Sequence, residues 1–302
     1  MAERLLLTGA SGFVGRQMLA PLAARGVELH AVARRPGPGD AVWHAADLRD
    51  DAAMRALLRD IRPAILVHAA WELTPGRFWT APGNADWLDL SVALGEAFAA
   101  SGGRRMLGLG SCAEYDWAGE GAEPWRETRP IAPATPYGRA KAALATRWAA
   151  LGERRGVSVA WGRLFHLFGA GEHPGRLVPS VLGALRRGEP VALGSGRPVR
   201  DFTDTAPIGR ALAALAASAV TGPVNIASGE PVAIRALAER LGRLAGRPEL
   251  LRFGALPDRT GEPPAMVAAV ERLRREVGWT ERPCLAQDLA RLVATEGAAA
   301  EG

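Results

Sequence analysis

The sequence predicts an α/β fold: a doubly wound parallel sheet followed by a smaller C-terminal α/β lobe. Three observations carry this prediction. Short apolar runs alternate with helical patterns through the first half of the 302 residues, as successive βαβ units require. The first run ends in a glycine-rich turn, Thr8-Gly9-Ala10-Ser11-Gly12-Phe13-Val14-Gly15. After Gly169 the alternation loosens, with Pro and Gly punctuation at 174–175, 188–190, 194–198 and 257–264.

Taken in order, Leu5-Leu6-Leu7 is the first strand, and a helical pattern follows from Gly12 to about Arg25. Strands are expected at 29–33, 42–44, 65–68, 106–110 and 157–161, with helices at 50–60, 84–101 and 136–155 between them. The last of these helices has Thr135 as N-cap and Pro136 at its first position, both favoured there. Trp71 to Gly83 has no period and holds two tryptophans, a phenylalanine, two prolines and two glycines. Such a segment is either a lid or a packed surface excursion. The expected division is 1–165 as a dinucleotide-binding domain, with returning segments at about 197–228, and 166–196 with 229–302 as a substrate-binding lobe. Glu296 to Gly302 reads as a frayed tail.

Composition excludes several classes. Charged residues are 23% and hydrophobic ones 48%, ordinary for a soluble globular chain. The net charge is +5, but the arginines are dispersed without an aromatic-interleaved stripe. That argues against nucleic acid and for a small anionic ligand. Cys112 and Cys284 are the only two cysteines, giving no disulfide framework and no metal-ligand spacing, as in a reducing cytoplasm. The N-terminal apolar run is too short for a signal peptide, and the stretch 211–220 is far below a membrane span. No metal and no membrane association are expected, and the protein reads as cytoplasmic.

The glycine turn points to a dinucleotide. Gly9 permits a tight turn, Gly12 lets the backbone approach a pyrophosphate, and Gly15 allows close helix–strand packing. With Ser11, Phe13 and Val14 they open a helix whose free N–H groups favour phosphate. The fold is thus of Rossmann type. Where an acidic residue would hold the NAD ribose, this chain has Arg34 and Arg35, nineteen and twenty residues after Gly15. Arginine there can pair with a 2′-phosphate, so NADP(H) is favoured, with NAD(H) possible. Asp47, followed by Leu48, can accept from the adenine amino group.

Lys141 is the only lysine among the 37 Lys+Arg positions, and one of only two tyrosines, Tyr137, stands four residues before it. On a helix the two share a face. A chain that otherwise uses arginine keeps here the compact ammonium with three rotatable donors. A nearby cation favours phenolate, so Lys141 is expected to lower the Tyr137 pKa toward neutrality.

With that pair, the glycine turn and a serine 26 residues before the tyrosine, the chain resembles the extended short-chain dehydrogenase/reductases. It is similar in particular to their nucleotide-sugar epimerase/dehydratase/ketoreductase group. The resemblance spans nearly the whole chain: His68-Ala69-Ala70, Ser111-Cys112-Ala113-Glu114-Tyr115, Pro136-Tyr137-Gly138-x-x-Lys141 and Arg163-x-Phe165-His166-x-Phe168-Gly169. It continues through Arg200-Asp201-Phe202, Gly222-Pro223-Val224-Asn225-Ile226 and Val277-Gly278-Trp279. It implies that Tyr137 exchanges a proton with the substrate oxygen and Ser111 orients that oxygen. Lys141 would hold the nicotinamide ribose and tune Tyr137. His68, Ala69, Ala70 and Phe165 would line the cofactor. Cys112, Ala113, His166, Leu177 and Val178 would face substrate, Arg176 and Arg200 its diphosphate, and Trp71, Glu72, Trp79 and Glu114 its sugar. A homodimer is common in this group.

Departures narrow the implied reaction. The 4,6-dehydratases of the group carry an Asp-Glu pair directly after the serine or threonine, where this chain has Cys112 and Ala113. The 3,5-epimerase/reductases carry a cysteine and a histidine where this chain has Ala113 and Gly171. What remains is hydride transfer with one proton. The expected function is NADPH-dependent reduction of a nucleotide-diphospho-4-keto-(6-deoxy) sugar. The alternatives are an NAD-dependent nucleotide-sugar 4-epimerase, a non-catalytic NADP-sensing regulator, and a reductase of a non-sugar carbonyl.

Overall fold

The computed structural model describes residues 2–39, 41–118 and 123–298. Its centre is a seven-stranded, fully parallel sheet of order β11-β6-β5-β4-β1-β2-β3. The strands are β1 (Arg4–Thr8), β2 (Glu28–Ala33), β3 (Val42–Ala45), β4 (Ile65–His68), β5 (Arg105–Ser111), β6 (Ser158–Leu164) and β11 (Gly222–Ile226). Helices α1 (Gly15–Ala23) and α6 (Thr205–Ala217) pack on one face. Helices α2 (Asp51–Ile61), α3 (Asn84–Ala100) and α4 (Pro136–Arg155) pack on the other. Two apolar layers follow from this arrangement. One gathers Leu5, Leu7, Met18, Leu22, Ile208 and Leu212, the other Leu6, Met54, Leu58, Phe98, Leu144 and Trp148. Consecutive β1 residues face opposite layers, as the strand period of two demands.

Local chemistry fixes the element ends. The Thr135 hydroxyl accepts from Gly138 N–H at 3.1 Å, Pro136 sits at the first position, and Gly156 closes α4 with φ +66°. That helix spans the residues expected for it. Asp50 caps α2 by accepting from Ala53 N–H at 3.0 Å. The first helix starts at Gly15 instead of Gly12, because residues 10–14 stay in the turn.

The C-terminal part is built from α5 (Leu177–Arg187), α7 (Ile234–Leu244), α9 (Leu285–Ala298) and short strands. Strands β7 (His166–Phe168) and β10 (Phe202–Asp204) pair in parallel, as do β8 (Val191–Leu193) and β13 (Leu251–Phe253). Strand β9 (Val199–Arg200) lies between β12 (Val232–Ala233) and β14 (Ala265–Met266), and α8 (Glu271–Arg275) follows. A separate core joins Phe168, Val178, Leu182, Leu185, Phe202, Leu241 and Leu289. Asp201 ties these pieces together: its carboxylate accepts from Ser228 Oγ at 2.6 Å and from Gly229 N–H at 2.8 Å. The tail expected from Glu296 is helical through Ala298, and 299–302 lie outside the described residues. No helix among the described residues is long and apolar enough to cross a membrane.

Candidate active site

The glycine turn presses directly on the end of β4. A Cβ on Gly9, whose φ is +71°, would lie 2.6 Å from Ala70 N, and one on Gly15 would lie 2.1 Å from Gly9 O. Only glycine fits either place. Ser11 and Gly12 are exposed, Phe13 and Val14 half-buried, and no side chain caps the start of α1. The N–H groups of Gly12, Arg16 and Gln17 already donate to backbone carbonyls of the turn, which leaves those of Phe13, Val14 and Gly15 to meet an anion. Arg34 and Arg35 follow β2 directly, exposed and without an ion-pair partner among the described residues. Asp47 is exposed and accepts from Arg49 N–H at 3.0 Å, with Leu48 half-buried beside it. The chemistry of this set suits a dinucleotide phosphate: open N–H donors, a cradle that a Cβ would fill, and unpaired guanidinium groups.

The second cluster forms where β5 and the start of α4 meet. Ser111 ends β5, and a 3-10 turn (Cys112–Glu114) follows it. Gly138 lets α4 approach this turn, since a Cβ there would lie 2.2 Å from Ala113 O. Tyr137 thereby packs with Ala113, two residues after Ser111, whose side chain acts to lower the phenol pKa. Lys141, one helical turn on, is 4% exposed and donates to Leu109 O at 2.8 Å. Burial pulls its pKa down to about 7, against the opposing pull of the Glu114 carboxylate.

Tyr137 differs from expectation. Burial pushes its phenol well above the ordinary range, and the Ser111 side chain offsets only part of this. The cause is the segment 71–83, which packs over the start of α4. Tyr137 N–H donates to Trp79 O at 3.2 Å, and its ring meets Phe78 at 5.0 Å and Trp79 at 5.7 Å, both edge-on. Asn84 fastens the segment: it accepts from Trp71 Nε1 at 2.9 Å and donates to Phe78 O at 2.7 Å. Trp117 adjoins the same aromatic cluster.

Several expected contacts are placed elsewhere. His68 is buried and links Thr8 Oγ1 at 2.7 Å to Ser91 Oγ at 2.9 Å, and burial drops its pKa to about 3. Its side chain is thus a neutral strut, while Ala69 and Ala70 meet the glycine turn. Phe165 packs with Tyr115 and Trp125 in the core. Leu177 and Val178 turn into the C-terminal core, so their side chains do not reach Tyr137. Glu72 is exposed and paired with Arg49 at 3.1 Å. Glu114 does not line the cluster either; it lies fully buried beneath Ser111. Cys112 is buried, with its thiol pushed up to about 12, chiefly by burial.

On the C-terminal side, Arg176 stands at the N-cap position of α5 without a side-chain cap bond and is paired with Glu172 at 3.4 Å. Arg200 is 2% exposed, donating to Pro263 O at 3.0 Å and Glu262 Oε2 at 2.9 Å. His166 stands in the field of both arginines, with Nδ1 buried and no partner among the described residues. Burial, then Arg200 and Arg176, lower its pKa to about 3. Sequence reasoning missed Asn84, Phe78, Trp117 and Glu262. It also underread Gly110, whose place in a strand signals close approach of a neighbour. No group of three or more His, Cys, Asp or Glu side chains among the described residues could hold a metal.

Residues 5–227 match the NAD dependent epimerase/dehydratase family. The chain is 32% identical over 306 residues to dTDP-6-deoxy-L-talose 4-dehydrogenase (NAD(P)(+)) of Kitasatospora kifunensis, covering 96% of this chain and 94% of that one. It is 26% identical to dTDP-4-dehydro-6-deoxy-D-allose reductase of a Streptomyces species, covering 92% of each. Among solved structures, MoeE5 in complex with UDP-glucuronic acid and NAD superposes with a TM-score of 0.84 at 28% identity, covering 98% of this chain and 99% of that one. UDP-glucose 4-epimerase of Thermotoga maritima gives 0.85 at 20% identity over 98% of this chain and 99% of that one, a likeness of fold. The chain belongs to the NAD-dependent epimerase/dehydratase family, a branch of the extended short-chain dehydrogenase/reductases.

Proposed function

We propose that the protein is an NADPH-dependent reductase of a nucleotide-diphospho-4-keto-(6-deoxy) sugar. The observation that carries this is the convergence of Ser111, Tyr137 and Lys141 at the end of β5, with Cys112 and Ala113 where water-eliminating relatives need an acid pair. The bound nicotinamide supplies hydride. Tyr137 donates the proton to the carbonyl oxygen that hydride makes basic. Its raised pKa is suited to this direction, because the phenol is fully protonated near neutral pH. Ser111 orients the same oxygen, and Lys141 holds the ribose hydroxyls and a positive charge near the developing alkoxide.

Residues of the glycine turn would hold the pyrophosphate, and Arg34 and Arg35 the 2′-phosphate. Trp71, Phe78, Trp79 and Trp117 exclude water from Tyr137. Arg176, half-exposed, is the better placed of the two diphosphate candidates; Arg200 must exchange its bond with Glu262 to join it. The names of two relatives, a dTDP-sugar 4-dehydrogenase and a 4-keto-sugar reductase, describe this bond change in its two directions.

The test is incubation with NADPH or NADH and a panel of dTDP-, GDP-, CDP- and UDP-linked 4-keto-6-deoxy sugars, followed at the reduced-nicotinamide band. Stoichiometric NADPH consumption is the expected result. Interconversion of 4-hydroxy epimers without net consumption would falsify the reductase in favour of the 4-epimerase. Tight NADP binding with no turnover of any sugar would favour the sensor.

A further inference from the structure

Beneath Ser111 lies a carboxylate that the reaction scheme leaves unused. Glu114 is 0% exposed. Its Oε1 accepts from Ser111 N–H at 2.7 Å and from Trp161 Nε1 at 2.9 Å, and its Oε2 accepts from Arg163 Nε at 2.9 Å. The strand makes room for it. A Cβ on Gly110 would lie 2.3 Å from Glu114 Oε1 and 2.1 Å from Trp161 Nε1. Burying such an ion pair contributes little net stability, since apolar residues of similar volume usually serve a core as well or better. A purely structural reason for the pair is therefore weak.

Lys141 supplies another reason. Its ammonium has one carbonyl, Leu109 O, and the face of Trp71 for company. The titratable and charged groups facing it are few. His68 on β4 is neutral, held by Thr8 and Ser91. Tyr137 on the same helix is protonated, and Arg163 on β6 is engaged by Glu114. Glu114 meets the same stretch of β5 as this ammonium: Lys141 takes Leu109 O, and the carboxylate lies beside Gly110 and on Ser111 N–H, so its charge acts on Lys141. It also completes a reciprocal cap: Ser111 Oγ accepts from Ala113 N–H at 3.2 Å while Glu114 accepts from Ser111 N–H.

We propose that Glu114 is a positioning residue for the proton-transfer pair, fixing Ser111 through its main chain and serving as the buried counter-ion of the Lys141 ammonium. This rests on the assignment of Ser111, Tyr137 and Lys141 as the reacting cluster. Glu114 touches neither substrate nor cofactor.

Because Lys141 is the chain's only lysine, growth on 13C-lysine gives a single Cε resonance. Its pH titration reads the ammonium directly, without substrate. In the full-length protein, with and without NADP+, Glu114→Gln is expected to lower the lysine midpoint by about one pH unit. The alkaline limb of the pH profile for reduction should move down by the same amount. Arg163→Met breaks the same ion pair but leaves the carboxylate, so its midpoint should stay or rise. Glu114→Asp should restore the midpoint while kcat stays low and NADPH affinity is unchanged, since the shorter side chain loses the Ser111 bond. If Glu114→Gln does not fold, the double variant Glu114→Gln/Arg163→Met replaces it, read against Arg163→Met alone.

An unmoved lysine midpoint in a folded variant lacking the carboxylate overturns the proposal, as does an equal fall in Arg163→Met. A shifted midpoint in a protein that reduces none of the keto-sugars counts against the substrate assignment and leaves the counter-ion role standing.

Discussion

The ammonium of Lys141 lies 3.8 Å from the centroid of the Trp71 indole ring, on the face that Leu109 O leaves open. A cation over an aromatic face in a dry site is held by the ring quadrupole. The contact puts the lone lysine and the first residue of the 71–83 segment in one unit, so the proposed proton-transfer pair and its cover are assembled together.

That enclosure bears on Lys141→Arg. The guanidinium keeps the charge but brings five donors in a wide fork to a pocket that offers one carbonyl. Activity is expected to fall by on the order of 100-fold, with the melting temperature also lowered. Steady-state assay beside thermal denaturation checks it; near-full activity would mean that charge alone suffices.

The pH dependence follows from the buried ammonium. Its pKa is lowered to about 7, so it is charged below that pH and neutral above it. Tyr137 is shifted the other way and stays protonated throughout. The profile of kcat/KM for reduction should therefore be level on the acid side and fall roughly tenfold per unit above the lysine pKa. A limb that persists unchanged in Lys141→Met would assign it to another group.

The proposed preference for NADP(H) rests on two exposed arginines. Replacing both Arg34 and Arg35 by Ala removes the charge-assisted bonds available to a 2′-phosphate, each about 1.5–3 kcal/mol. The Kd for NADPH is expected to rise by about a hundredfold or more, with NADH unaffected. Calorimetric titration with the two cofactors checks the difference. Equal weakening of both would place these arginines outside the phosphate site.

Gly15→Ala tests the cradle. The added Cβ would stand 2.1 Å from Gly9 O, and the contact is backbone on both sides. Relief requires the turn to move, at a cost of about 1–3 kcal/mol, and the expected result is a lower melting temperature that NADPH no longer raises. Gly26→Ala, with nothing near its Cβ, should leave the NADPH-induced stabilisation intact.

Much of the fold was legible because its signals are local. The alternating strands and helices, the Thr135 cap and the glycine spacing each depend on a few neighbouring residues. The Tyr137–Lys141 pair was legible for the same reason, since four residues on a helix define a face. The inward packing of the Phe165, Leu177, Val178 and His68 side chains was not legible, because facing inward or outward depends on which distant layer an element packs against. Glu114 was placed on the wrong side of Ser111: nothing local distinguishes a carboxylate that lines a pocket from one that supports its floor.

The sequence alone determined the parallel sheet, the glycine turn, and the helix face that Tyr137 and Lys141 share. Tertiary structure decided their electrostatics. Packing the 71–83 segment over α4 dries the cluster, raising the phenol and lowering the ammonium. The sequence pattern predicts the reverse for Tyr137, because it counts a neighbouring cation and cannot count lost water. Desolvation depends on everything that surrounds a group, and those surroundings come from segments far apart along the chain.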